Sequence, residues 1–100
     1  MPGQQTEITG ANYTAYESLT ISTTAVALTA ATVSGLTYAL ITNEAGAVRF
    51  RLDGTAPTAS VGHVMLDGDS LVLNSAHELV NAQFISRDGV TATLRCSYGN

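Results

Sequence analysis

Hydrophobic and polar residues alternate with a period of two along much of this chain, which is the pattern of strands buried on one face. It is clearest from Ala47 to Asp53, where Val48, Phe50 and Leu52 fall on one side and Arg49, Arg51 and Asp53 on the other. The last segment, Val90 to Tyr98, alternates as regularly, with Ala92, Leu94, Cys96 and Tyr98 inward and Thr91, Thr93, Arg95 and Ser97 outward. Further strands are predicted at Tyr13 to Ser22, with Leu19 and Ile21 on one face, at Val61 to Leu66, at Ser70 to Leu73 and at Asn81 to Arg87. Thr37 to Asn43 is a continuous apolar run and reads as a strand covered on both faces. Thr23 to Val33 fits either a short strand through Val26 and Leu28 or a helical turn; the five threonines from Thr20 to Thr32 argue against a long helix.

Turn chemistry separates these segments. Ser34-Gly35 and Asp67-Gly68-Asp69 read as tight turns, and Asn74 to Leu79 as a loop. Asn43-Glu44-Ala45-Gly46 has hairpin length, so the strands on either side are expected to pair antiparallel. Asp88-Gly89 is a two-residue hairpin signal joining the last two strands. From Asp53 to Ser60 alternation stops: Gly54 breaks the strand, Pro57 lacks a backbone donor, and Thr55, Thr58 and Ser60 are loop residues. The sum is one all-β domain, an antiparallel β-sandwich or jelly roll of seven or eight short strands over 13–100. Residues 1–12 lack periodicity, with Ile8 as the sole anchor; they read as a frayed terminus or as an arm ordered by a neighbouring subunit.

Composition narrows the function. A chain of 100 residues with 6% aromatics and no Trp builds a modest core from small and β-branched side chains, and gains from neighbours. Charged residues make up 12%, against about a quarter in ordinary domains. Lysine is absent, and the basic residues are Arg49, Arg51, Arg87 and Arg95. A surface of Thr, Ser and Asn is either the signature of a β-rich protein or a face that is cheap to desolvate against a partner. The net charge of −4 argues against nucleic-acid binding. No apolar run reaches membrane-span length, and no charged-then-apolar leader is visible. The single cysteine, Cys96, lies in phase with buried positions and reads as an inert thiol.

No enzyme chemistry emerges. His63 and His77, with Glu78, lack the spacing of a two-histidine metal site. Asp67 and Asp69 offer oxygens for calcium but sit in a pattern that is ordinarily a turn. There is no Gly-x-Ser-x-Gly elbow and no phosphate loop. The expectation is a non-enzyme without metal or cofactor. Arg49 and Arg51 share one strand face; they are either solvated or ion-paired within the chain, to Asp53 or Asp69, or they belong to an interface. Tyr13, Tyr16 and Tyr38 are possible aromatic anchors, and Tyr16 fits the core equally well.

The segments 48–63 (Val-Arg-Phe-Arg-Leu-Asp-Gly-Thr-Ala-Pro-Thr-Ala-Ser-Val-Gly-His), 66–73 (Leu-Asp-Gly-Asp-Ser-Leu-Val-Leu) and 84–98 (Phe-Ile-Ser-Arg-Asp-Gly-Val-Thr-Ala-Thr-Leu-Arg-Cys-Ser-Tyr) resemble small virion structural proteins of tailed bacteriophages. The resemblance runs from Ala39 onward and implies a virion β-sandwich. The expected role is capsid decoration or cementing: many copies on the outer capsid surface, bound to the major capsid protein and to one another as a symmetric homo-oligomer, with no nucleic acid and no membrane. The alternative is a tail or fibre component that binds a host surface glycan. Interface candidates are Arg49, Arg51, Asp53, Thr55, Pro57, Thr58, Ile8 and Tyr13.

Overall fold

The computed structural model describes residues 12–100. Eight antiparallel strands form two sheets: β1 (Tyr13–Ile21), β8 (Ala92–Gly99), β3 (Tyr38–Ala45) and β6 (Ser70–Leu73) lie in that order in one, sheet A. The other, sheet B, runs β2 (Val26–Ala27), β7 (Gln83–Ser86), β4 (Val48–Arg51) and β5 (His63–Met65). Strands pair first with last, second with seventh, third with sixth and fourth with fifth, as when one long hairpin is rolled up. This order is the jelly roll, which decides between the two architectures expected from sequence.

The inward faces of both sheets meet in one core. Ile21, Ala39, Ile41, Leu94, Cys96 and Tyr98 come from sheet A, and Val48, Phe50, Met65 and Phe84 from sheet B. Alternation in β8 is as the sequence implies, with Ala92, Leu94, Cys96 and Tyr98 fully buried. In β3 only Ala39, Ile41 and Asn43 are buried, and the opposite side is half-buried, so this strand is not covered equally on both faces.

Two expected hairpins do not form. β3 pairs with β6 and β8, whereas β4 pairs with β5 and β7, so the turn at 43–46 carries the chain from one sheet to the other. The Asp88-Gly89 turn likewise joins β7 of sheet B to β8 of sheet A. Turn residues reverse the chain; they do not choose which sheet receives the next strand, and here the shared core does. Buried Asn43 secures the first of these crossings, its Nδ2 donating to the carbonyls of Gly46 (2.9 Å) and Met65 (3.1 Å). Gly46 is required there because a Cβ would stand 2.7 Å from the Val90 carbonyl oxygen.

The other correction is at Asn74 to Leu79, where a helix begins. Helix α2 (Ala76–Asn81) follows Ser75, whose Oγ accepts from the Glu78 amide at 3.1 Å, while Glu78 Oε1 accepts from the Asn74 amide at 2.9 Å. This reciprocal capping, with Leu79 buried as anchor, makes the loop helical. Both readings of Thr23 to Val33 are realised in part, as β2 and then the single turn α1 (Ala30–Val33). The predicted strands at Val61 to Leu66 and Asn81 to Arg87 are shorter, at β5 and β7.

The antiparallel pairings place all the short inter-sheet crossings at one end of the sandwich. The other end carries α1, α2, the 52–62 loop and the paired residues Asn12 and Asn100.

Candidate binding site at the loop end of sheet B

Strand β4 sets the site. Val48 and Phe50 go into the core, which forces Arg49 and Arg51 onto the outer face. The loop then folds back over that face. Arg49 Nε donates to the Ala59 carbonyl and Nη1 to the Gly62 carbonyl, both at 2.8 Å. Pro57 is buried. Thr58 and Val61 exchange backbone bonds of 3.0 and 3.3 Å, and Thr58 Oγ1 accepts from the amides of Ser60 and Val61. Gly62 has φ +139, and a Cβ there would lie 3.0 Å from the Phe50 carbonyl oxygen and 3.3 Å from the Cβ atoms of Arg49 and Pro57. Only glycine lets the loop return this close to β4. On the far side Gln83 Nε2 donates to the Gly54 carbonyl at 3.2 Å.

Between the start and end of this loop lies an open hollow of about 610 Å³, lined by Arg51, Leu52, Asp53, Val61, Gly62 and His63. Arg51 grips Asp53 with two parallel bonds, Nε to Oδ1 at 3.1 Å and Nη2 to Oδ2 at 2.5 Å. That bond to Arg51, with a smaller contribution from the Thr55 amide, brings the Asp53 carboxyl down from 3.8 to about 2. The pair stays accessible, with 30% of the Arg51 and 56% of the Asp53 side chain exposed. His63 packs its ring 5.3 Å from that of Phe50, and Leu52 and Val61 add aliphatic surface. The hollow therefore combines one neutralised ion pair with an apolar and aromatic floor.

Of the sequence-derived candidates, Arg49, Arg51, Asp53, Thr55, Pro57 and Thr58 gather on β4 and its loop. Their roles differ. Arg49 fastens the loop, Pro57 and Thr58 shape it, Thr55 is exposed, and Arg51 and Asp53 face the hollow. Asp69 plays no part in pairing the arginines; its carboxylate accepts from the Leu66 amide, and that of Asp67 from the Ala45 amide, so both serve the turn. Tyr13 lies apart, in sheet A, where it and Tyr38 pair with Gly99 from opposite sides and their rings meet edge-on at 6.4 Å. Ile8 and residues 1–11 of the arm lie outside the described residues. His77 is on α2 and His63 on β5, and among the described residues no group of three His, Cys, Asp or Glu could hold a metal ion. Burial pushes the Cys96 thiol up from 9.0 to about 11, the state of an unreactive thiol.

The outer face of sheet A is a second surface. The register aligns Tyr16, Ser97, Leu40 and Val72 in one row across the strands, then Ser18, Arg95, Thr42 and Ser70, then Thr20, Thr93 and Glu44. Tyr16 is 58% exposed, which assigns it to the surface and not the core. Arg95 at the centre donates to Glu44 Oε1 and Ser18 Oγ, each at 3.2 Å. Within these rows the only charges, Arg95 and Glu44, are paired with each other.

Fold and surfaces together define a small jelly-roll protein with a hydroxyl-rich sheet face and a rigid loop hollow. No protein-family model, curated protein or solved structure matches the chain.

Proposed function

We propose that this chain is a virion structural protein of a tailed bacteriophage, a decoration or cement protein that binds the major capsid protein in many symmetric copies and braces neighbouring capsomers. The observation that carries the reading is the outer face of sheet A. It presents Tyr16, Leu40 and Val72 among hydroxyl side chains, and its two charges already neutralise one another. Such a face loses little hydration free energy when covered by a partner, and tyrosine supplies a rigid contact at small entropic cost. The resemblance of 48–63, 66–73 and 84–98 to small phage virion proteins supports the same reading. Jelly rolls serve in viral capsids and also in lectins, so the fold accommodates this role without selecting it.

Quantitative mass spectrometry of purified particles tests it. Hundreds of copies per particle is the expected count for a head protein on an icosahedral lattice, whereas about a dozen or fewer would move the chain to the neck, tail or fibre. Leu40→Glu with Val72→Glu places charge on the sheet face without touching the core, and should abolish retention on capsids while leaving the circular dichroism spectrum unchanged.

A further inference from the structure

We propose that the hollow at the loop end of sheet B is a carbohydrate subsite that takes a neutral pyranose ring, with Asp53 accepting from one ring hydroxyl and Arg51 donating to its neighbour. Its volume, about 610 Å³, lies in the range of small-molecule sites, about 300–1,000 Å³, and leaves room for one or two sugar rings. Three features select the ligand class. First, Asp53 and Arg51 are held side by side as acceptor and donor, the spacing that vicinal hydroxyls match. Arg51 uses only Nε and Nη2 on Asp53, and the carboxylate keeps further lone-pair positions on its exposed side. Second, the charges cancel locally. An anion entering the hollow meets the Asp53 carboxylate and a cation meets the Arg51 guanidinium, so a polar but uncharged ligand is favoured. Third, Leu52, Val61 and the His63 ring offer the apolar surface on which the C–H face of a sugar packs.

The site is also built before any ligand arrives. Arg49, Pro57, the Thr58–Val61 turn and Gln83 fix both walls, so binding orders little of the chain. Sheet B lies across the core from the sheet A face assigned above to the capsid. A decoration protein bound by that face would hold the hollow outward, toward glycans outside the particle. The subsite itself does not depend on that assignment, because its test uses the isolated chain.

The test is an NMR titration of the uniformly ¹⁵N-labelled full chain with glucose, galactose, mannose and N-acetylglucosamine, and with glucuronate as the anionic counterpart. At least one neutral sugar should shift the Arg51 Hε signal and the amides of Val61, Gly62 and His63, with a dissociation constant of about 1–10 mM as expected of a single ring in an open hollow. Glucuronate should bind more weakly. Asp53→Asn should weaken binding about tenfold with a well-dispersed spectrum, whereas Glu44→Gln, which breaks the exposed Arg95–Glu44 pair on sheet A, should change nothing. Absence of shifts from all four neutral sugars at 50-fold the millimolar scale (about 50 mM) overturns the proposal. So does tighter binding of glucuronate, or shifts confined to other surfaces. None of these outcomes bears on copy number in the particle, so the two readings fail separately.

Discussion

Arg49→Met is the most informative single change. It keeps the aliphatic stem on β4 and removes both bonds that fasten the loop, to Ala59 and Gly62, each 2.8 Å long. A hydrogen bond from a charged donor contributes about 1.5–3 kcal/mol net when sheltered and less in the open. The Gly62 bond is partly buried and the Ala59 bond exposed, which puts the expected loss at about 2–3 kcal/mol. Val48 and Phe50 lie on the opposite face of the strand, so the core is untouched and the loss falls on local opening of the loop. Hydrogen exchange at the Val61 amide, bonded to Thr58, should accelerate roughly 30- to 160-fold, the equivalent of that free energy. Arg49→Lys should not restore protection, because a single ammonium cannot reproduce the two-pronged geometry. Sugar binding should weaken as well, although Arg49 does not line the hollow. Unchanged exchange at Val61 in Arg49→Met would mean that Pro57 and the Thr58 turn hold the loop unaided, and the reasoning about preorganisation would fall with it.

Two further outcomes are expected. Burial raises the Cys96 thiol from 9.0 to about 11, and burial together with the bond to Glu17 raises the Tyr98 phenol. The folded chain therefore holds these protons more tightly than the unfolded one, so their stabilisation is complete below about pH 9 and declines as pH rises through about 11. Urea midpoints measured from pH 8 upward should fall over that window, and Cys96→Ala should flatten part of the slope; a constant midpoint would contradict the burial argument. Gly46→Ala sets a Cβ against the Val90 carbonyl oxygen, a backbone atom that cannot swing aside, and should destabilise by about 1–3 kcal/mol with the urea midpoint as readout. Stability equal to the parent would show that the crossing has slack.

The faces of strands were legible in the sequence because alternation is a local property. β8, the two sides of β4 and the Arg51–Asp53 pair all follow from it. Partnership between strands was not, because it depends on residues far apart in the chain: Asn43-Glu44-Ala45-Gly46 and Asp88-Gly89 carry hairpin residues yet change sheets. Two missed features did leave signals. Ser75 three residues before Glu78 is a capping pattern, and it starts α2. Glu17 interrupts the inward series Ala15, Leu19 and Ile21 with a charge, which demanded a buried partner, and the Tyr98 hydroxyl donates to it at 2.6 Å. The hollow left none, since Arg51 and His63 meet only through the path of the loop between them.

The position of β8 has a consequence for how the protein is made. It follows every other described strand in the chain, yet it sits between β1 and β3 and bonds to both. In sheet B, β7 similarly separates β2 from β4. A ribosome delivers β1 to β6 first, and of these only β3–β6 and β4–β5 can find their native neighbours while synthesis continues. β1, the longest described strand at 9 residues, waits unpaired until β8 emerges. Completion of sheet A is thus tied to the emergence of β8, and the unpaired edge of β1 is exposed to self-association until then. Trapping the chain with β8 still inside the ribosome should leave a collapsed but unassembled jelly roll that proteases cut readily.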